Sequence, residues 1–294
     1  MTDPFAVAAG HDLTAETAAD VLRAGGSAVD AAIAGALTAC VAEPVLASLF
    51  GGGFLMVREA SGRVRLLDFF VQTPRRRAPD ADVDLRAIEA NFGEATQVFH
   101  IGAGSIAAPG VARGLAEAHA HYGVIPFDDL AAPAIRAAKE GIALTPFQAG
   151  ALEIVTAIYA AAPETRALFG DGETLLKAGE TFRNARLADV MEVFVAEGDR
   201  FMQEGEAAQS LLSLDGGHLT PADLRDYRAI WREPLEEARA TRSGPARIHL
   251  NPPPALGGAL IAFALRLIEP GDRPVDIARA FEATSRARLE ADLN

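Results

Sequence analysis

The chain has 294 residues, of which 50% are hydrophobic and 23% charged, so it is apolar enough to bury a large core and is not a disordered chain. Twenty-seven lysines and arginines against forty aspartates and glutamates give a formal net charge of −13. A charge of that sign repels nucleic acid and anionic membrane surfaces, which excludes both as partners. Because no break in composition separates two halves, one body covering residues 1–294 is predicted.

The N-terminal third begins with two predicted helices. Thr14 is the expected cap of the first, and Gly25–Gly26 is expected to end it. Ser27, with Asp30 three residues later, caps the second, which Pro44 stops. This second helix is apolar almost all round and contains the single cysteine of the chain. It is therefore expected to be buried, with the thiol acting as a small apolar side chain and not in a disulfide.

Beyond the run Gly51–Gly53, two β-prone segments at 54–57 and 64–71 flank a turn and predict a hairpin. A buried helix followed by a hairpin indicates mixed α and β packing. The short basic run Arg75–Arg77 predicts a solvated turn and no function. Helices dominate the middle of the chain and are expected at 109–122, 127–140, 146–161, 184–197 and 201–214.

The last third mixes helix and strand. Thr220, followed by a proline and an acidic first turn, predicts a helix start, and Tyr227 and Trp231 follow at helical spacing. A strand is expected at 246–250, and helices at 259–268 and 275–293. The first ten residues lack the basic and apolar regions of a signal peptide, so a cytoplasmic protein is predicted, or a periplasmic one if a leader was removed.

The residues do not by themselves assemble a catalytic centre. Gly51–Gly53 precedes a strand, and Gly102–Gly104 lacks the rest of a nucleotide fingerprint, so no nucleotide site is expected. The six histidines include no metal-binding pair, and no metal or cofactor is predicted. Neither a GxSxG elbow nor a cysteine with a nearby basic partner is present, so nucleophile and base are not found together.

Short blocks spread along most of the chain resemble the gamma-glutamyltransferase family. In the family's order they are residues 23–32 (RAGGSAVDAA), 43–44 (EP), 51–54 (GGGF), 108–111 (APGV), 121–123 (HYG), 130–135 (LAAPAI), 219–224 (LTPADL), 227–228 (YR), 232–234 (REP) and 252–258 (PPPALGG).

This resemblance implies an N-terminal nucleophile hydrolase, an α+β protein built as a four-layer αββα sandwich and made as a precursor that cuts itself. It implies that residues 1–294 are the large subunit of one such domain, with Asn294 as the end left by self-cleavage. The nucleophile would be a threonine that begins a separate C-terminal small chain of the same precursor, so no catalytic residue is expected on this chain. The implied assembly is a heterodimer or a dimer of heterodimers that cleaves or transfers the acyl group of an amide.

One position departs from the family's pattern. Where the family has Asp-Gly-Arg-Glu-Thr-Ala-Pro, residues 68–74 read DFFVQTP, so Phe70 stands in place of the arginine that binds the substrate's α-carboxylate in the family. Loss of such a contact costs ~1.5–3 kcal/mol, so gamma-glutamyl substrates are expected to bind poorly. Phe69 and Phe70 also fit a plain hairpin core. Because neighbours on a strand face opposite sides, only one can line a site, and Phe70 is the candidate substrate-binding residue.

Two classes of function stay open. The first is an acyl-enzyme hydrolase or acyltransferase, acting on a gamma-glutamyl compound held by other contacts or on a non-glutamyl amide such as the acyl side chain of a β-lactam. The second is a non-enzymatic scaffold or binding protein that keeps the fold without catalysis, suggested by Phe70 and by the missing nucleophile.

Overall fold

The structure, a computed structural model, describes residues 5–241, 243–269 and 271–291. These residues belong to two compact units. The first unit contains the described residues up to 53 together with 69–229, and the second contains 54–68 together with the described residues from 230 onward. No helix within the described ranges combines the length and the apolar character that a membrane span requires.

Helices and strands both occur, and helices predominate, as predicted. In the described residues the helices are α1 (Asp12–Arg23), α2 (Ala28–Ala42), α3 (Val111–Tyr122), α4 (Phe127–Glu140), α5 (Pro146–Ile154), α6 (Thr156–Tyr159), α7 (Pro163–Leu168), α8 (Ala185–Glu197), α9 (Arg200–Gln203), α10 (Glu206–Leu212), α11 (Pro221–Asp226), α12 (Leu256–Leu267) and α13 (Pro274–Glu290).

Within the described ranges the strands form four small sheets. The strands are β1 (Gly53–Arg58), β2 (Val64–Phe69), β3 (Arg86–Asn91), β4 (Thr96–Ile101), β5 (Ile142–Ala143), β6 (Thr181–Phe182), β7 (Ile230–Arg232), β8 (Leu235–Thr241) and β9 (Gly244–Leu250). One sheet has the order β1-β2-β7, and the other strands pair as β3-β4, β5-β6 and β8-β9. The predicted hairpin at 54–71 is therefore confirmed as β1 and β2.

Helix α2 is the buried centre of the first unit. Its predicted start is confirmed: Ser27 Oγ accepts a hydrogen bond from Asp30 N at 3.0 Å, and Asp30 Oδ2 accepts one from Ser27 N at 2.8 Å. Helices α1, α3 and α4 pack against α2. They leave Ile33 and Leu37 with no exposed surface and confirm the buried helix that its composition predicts.

Several helices differ from prediction in where they begin, end or break. Helix α1 begins at Asp12 and not after Thr14, because the Nδ1 atom of His11 accepts a hydrogen bond from the Leu13 amide at 3.0 Å and caps the helix. The segment predicted as one helix over 146–161 divides into α5 and α6, and the segment predicted over 201–214 divides into α9 and α10. Apolar periodicity continues across both breaks, which is why the sequence does not reveal them.

The helical spacing of Tyr227 and Trp231 is misleading. Helix α11 ends at Asp226, Tyr227 is extended with φ −55° and ψ 138°, and Trp231 lies in β7 opposite Leu67 of β2. Strand β8, which was not predicted, pairs antiparallel with β9 along its whole length. Pairing partners decide these strands, and a single-sequence pattern does not contain them.

Asp30 generates a stability prediction. Its side chain has no exposed surface, and besides capping α2 it accepts hydrogen bonds from the Val124 amide at 3.1 and 3.2 Å. Asp30→Ala leaves two backbone amides without an acceptor and is expected to lower the free energy of unfolding by about 2–4 kcal/mol in urea denaturation. Asp20→Ala, which removes an exposed pair with Arg23, is the matched control and should change little. Equal effects of the two variants would contradict the role given to Asp30.

Candidate functional site

The candidate residue Phe70 follows the last residue of β2, and the two adjacent phenylalanines have opposite environments. Phe69 is 7% exposed, whereas Phe70 is 53% exposed. Alternation along an extended backbone places neighbouring side chains on opposite sides, so burial of the first ring turns the second outward. Phe70 is therefore in a position where it can meet a ligand from solution.

The buried ring of Phe69 lies against glycines. A Cβ atom added at Gly114 of α3 would overlap the ring, and one added at Gly110 would overlap the Phe69 carbonyl oxygen. A Cβ at Gly53 would come within 2.9 Å of the ring. Only glycine lets the end of β2 approach the start of α3 this closely. The i, i+4 spacing of Gly110 and Gly114 is the signal in the sequence that could have revealed this contact.

Hydrogen bonds hold the backbone at Phe70 and just after it. The Tyr227 hydroxyl donates to the Phe70 carbonyl oxygen at 2.9 Å. Gln72 and Ala108 exchange two backbone hydrogen bonds, of 3.1 and 2.9 Å, and the Gln72 side chain donates to the Arg228 carbonyl at 3.0 Å. Sequence reasoning missed Tyr227 because it was assigned to a helix face. Together these contacts fix the direction in which the Phe70 ring leaves the chain.

The glycine run before β1 has a different use from anion binding. The carbonyl oxygen of Gly51 accepts hydrogen bonds from the Gly110 and Val111 amides at 2.8 and 3.1 Å. The first donors of α3 are thus engaged by the protein itself, so they do not form a free cradle for a phosphate.

Arginines near this region are engaged in protein contacts. Arg113 of α3 is 9% exposed, and its guanidinium lies 3.7 Å from Asp199 Oδ1. When the side-chain amide of Gln203 is oriented with its oxygen toward Arg113, that oxygen accepts hydrogen bonds from the guanidinium at 2.7 and 3.1 Å. Burial lowers the pKa of Arg113, and Asp199 partly offsets the effect. Arg75 pairs with Asp226 at 2.7 Å. Both guanidinium groups thus already have protein partners.

The single cysteine of the chain is not an activated nucleophile. Burial raises the pKa of the Cys40 thiol to about 12, so it is protonated at neutral pH. His119 Nε2 lies 2.7 Å from the Ile125 carbonyl, and His121 Nδ1 lies 3.1 Å from the carbonyl of Glu117. No group of three histidine, cysteine, aspartate or glutamate side chains in the described part of the chain is arranged to hold a metal ion. The predicted cleavage end Asn294 lies outside the described residues.

Comparison with known proteins identifies the family of this chain. The model of the gamma-glutamyltranspeptidase family matches residues 14–287. The chain belongs to this family. A gamma-glutamyltranspeptidase structure from Pseudomonas nitroreducens, complexed with L-DON, matches with a TM-score of 0.76 and 30% identity, over 91% of this chain and 76% of that one. The match confirms the predicted α+β fold class, the αββα fold of N-terminal nucleophile hydrolases.

Curated members of the gamma-glutamyltranspeptidase family differ in the activity for which they are named. The chain is 33% identical to a glutathione hydrolase proenzyme of Pseudomonas aeruginosa, over 91% of this chain and 46% of that protein. It is 30% identical to the acylase ACY 1 proenzyme of Pseudomonas sp. strain V22, over 90% of this chain and 47% of that protein. The chain thus spans about half the length of these relatives.

The packing of Phe69 on α3 generates a prediction for this gamma-glutamyltranspeptidase family chain. In Gly114→Ala the added methyl group would overlap the Phe69 ring. The variant is expected to lower the free energy of unfolding by about 1–3 kcal/mol, measured by thermal or urea denaturation. Gly150→Ala in α5 is the control, because nothing lies within 4 Å of its added Cβ and the helix should gain about 0.5–1 kcal/mol. Two variants of equal stability would show that the glycine contact is not tight.

Proposed function

We propose that residues 1–294 are the large, N-terminal part of a self-processing amide hydrolase or acyltransferase, and that the chain following Asn294 begins with the nucleophile. Two relatives named as proenzymes, each about twice the length of this chain, support this division.

In the proposed reaction the threonine hydroxyl attacks the amide carbonyl, and the α-amino group of the same residue accepts the hydroxyl proton. The tetrahedral intermediate collapses, the C–N bond breaks, and the protonated α-amine returns a proton to the leaving amine. Water or a second amine then attacks the resulting ester, releasing an acid or a new amide. Because the base is the free α-amine, the peptide bond before the threonine must be cut first.

The exposed apolar surface of helix α12 is evidence for a partner chain. Its twelve residues are apolar except for one arginine, yet among them only Gly258, Ala262 and Ala264 are buried. Ile261 is 51% exposed and Leu267 is 44% exposed. A helix that is apolar on every side is normally covered, and exposed apolar surface of this kind marks interfaces. The small chain of the same precursor is the partner that we propose for this helix.

The exposed Phe70 ring is the observation that carries the proposed substrate. An apolar ring stands where family members bind a carboxylate, and the nearby arginines Arg75 and Arg113 already have protein partners. We therefore propose an amide whose acyl group is apolar and lacks an α-carboxylate, the acylase type of substrate and not the gamma-glutamyl type.

Phe70→Arg in the full-length protein tests this substrate class. Two p-nitroanilides that differ only in the α-carboxylate, gamma-glutamyl and 4-aminobutyryl, are compared by kcat/KM. The wild type should favour the substrate without the carboxylate, and the variant should shift the ratio toward the gamma-glutamyl substrate by about tenfold, the contribution of one charge-assisted hydrogen bond. Hydrolysis of phenylacetyl-p-nitroanilide, an apolar acyl substrate, should fall.

Phe92→Arg is the matched control, since Phe92 is 49% exposed and lies in the turn between β3 and β4. It should leave the substrate ratio unchanged. The melting temperature of Phe70→Arg should stay near that of the wild type, because an arginine at an exposed position keeps its hydration. A variant that unfolds, or one that keeps the wild-type ratio, would remove Phe70 from the substrate site.

Mass spectrometry of the purified full-length product tests self-processing. We expect two fragments, the larger ending at Asn294 and the smaller beginning with threonine, serine or cysteine. A single uncut species would contradict the enzyme and favour a scaffold that retains the fold. Cleavage elsewhere, with another residue at the new N-terminus, would contradict the proposed nucleophile.

A further inference from the structure

Tyr227 carries a polar group that its surroundings do not require. The residue is 2% exposed and packs with the apolar residues Ala108, Ala208 and Leu224. A phenylalanine ring would fill that space equally well. The hydroxyl, however, reaches the Phe70 carbonyl oxygen at 2.9 Å and lies so close to Gly110 that a Cβ there would overlap it.

This hydrogen bond acts on the peptide group that follows Phe70. A carbonyl held by a donor fixes the plane of its peptide group and therefore the ψ angle of the residue that carries it. On the preceding side, the Phe69 ring is held against Gly114, and on the following side Gln72 is paired with Ala108. Among these contacts, the Tyr227 hydroxyl is the side-chain group that binds Phe70 itself.

We propose that Tyr227 is a positioning residue, whose hydroxyl sets where the Phe70 ring lies and so narrows the acyl groups that the site accepts. The selectivity part of this inference rests on the proposed function, whereas the positioning part does not. Without the hydroxyl, the ring should sample more than one orientation, and an apolar acyl group should bind more weakly while its bound amide reacts at an unchanged rate.

Tyr227→Phe in the full-length protein is the test, and Tyr159→Phe is its control. Tyr159 is a partly buried tyrosine whose hydroxyl also donates to a backbone carbonyl, that of Pro44, at 3.5 Å. Trifluoromethylphenylalanine is introduced at position 70, and its fluorine NMR signal is recorded in both variants. We expect Tyr227→Phe to shift, split or broaden the signal and Tyr159→Phe to leave it unchanged.

The same probe at Phe92 separates positioning from general loosening. Tyr227→Phe should leave the signal at position 92 as it is in the wild type. A signal at position 70 that does not respond to Tyr227→Phe would overturn the inference, and so would equal changes at positions 70 and 92.

Kinetics test the selectivity part. Tyr227→Phe should raise KM for phenylacetyl-p-nitroanilide about two- to tenfold with kcat retained, the range expected for one lost neutral hydrogen bond. An equal loss in kcat, or an unchanged KM with an altered fluorine signal, would overturn selectivity. If the wild type cleaves none of the amides, the proposed function fails and selectivity fails with it, but the fluorine measurement still decides whether Tyr227 positions Phe70.

Discussion

The close approach of Phe69 to the glycines of α3 is the constraint on which the candidate site depends. The ring has room only because Gly114 carries no side chain, and the Phe69 carbonyl has room only because Gly110 carries none. Because neighbouring side chains on an extended backbone point to opposite faces, burial of Phe69 turns Phe70 toward solvent. The Gly51 carbonyl accepts a hydrogen bond from the Gly110 amide at the start of the same helix. This bond brings the loop before β1 next to the Phe69 contact.

In the proposed site, the residue at position 70 sets the charge that a substrate meets. A guanidinium at position 70 would offer two parallel donors to a carboxylate, whereas a phenylalanine ring offers apolar contact and no donor. The buried arginine of α3 does not compensate, because Asp199 and Gln203 already engage it at 9% exposure. Family membership and substrate preference are therefore separate questions here, and relatives named as an acylase and as a glutathione hydrolase illustrate the range.

The proposed reaction divides the substrate surroundings and the nucleophile between two chains. In that proposal the Phe70 ring, held on a fixed backbone, contributes to the surroundings of the substrate, and the nucleophile begins the other chain. A threonine activated by its own α-amine must be the first residue of its chain. The proposed mechanism therefore requires the nucleophile to lie on a different chain from Phe70. The exposed apolar residues of α12 are the surface that this second chain would cover.

Local chemistry allowed much of the secondary structure to be predicted from the sequence alone. Ser27 with Asp30 starts α2, and α4 has the bounds that its pattern predicts, because capping and periodicity act over a few neighbouring residues. Motif order likewise identified the family. Tyr227 shows the limit: its spacing fits a helix, but its place is decided by the Phe70 carbonyl, 157 residues away in the chain. Only the tertiary structure brings those two atoms together, because a hydrogen bond between distant residues leaves no periodicity in the sequence.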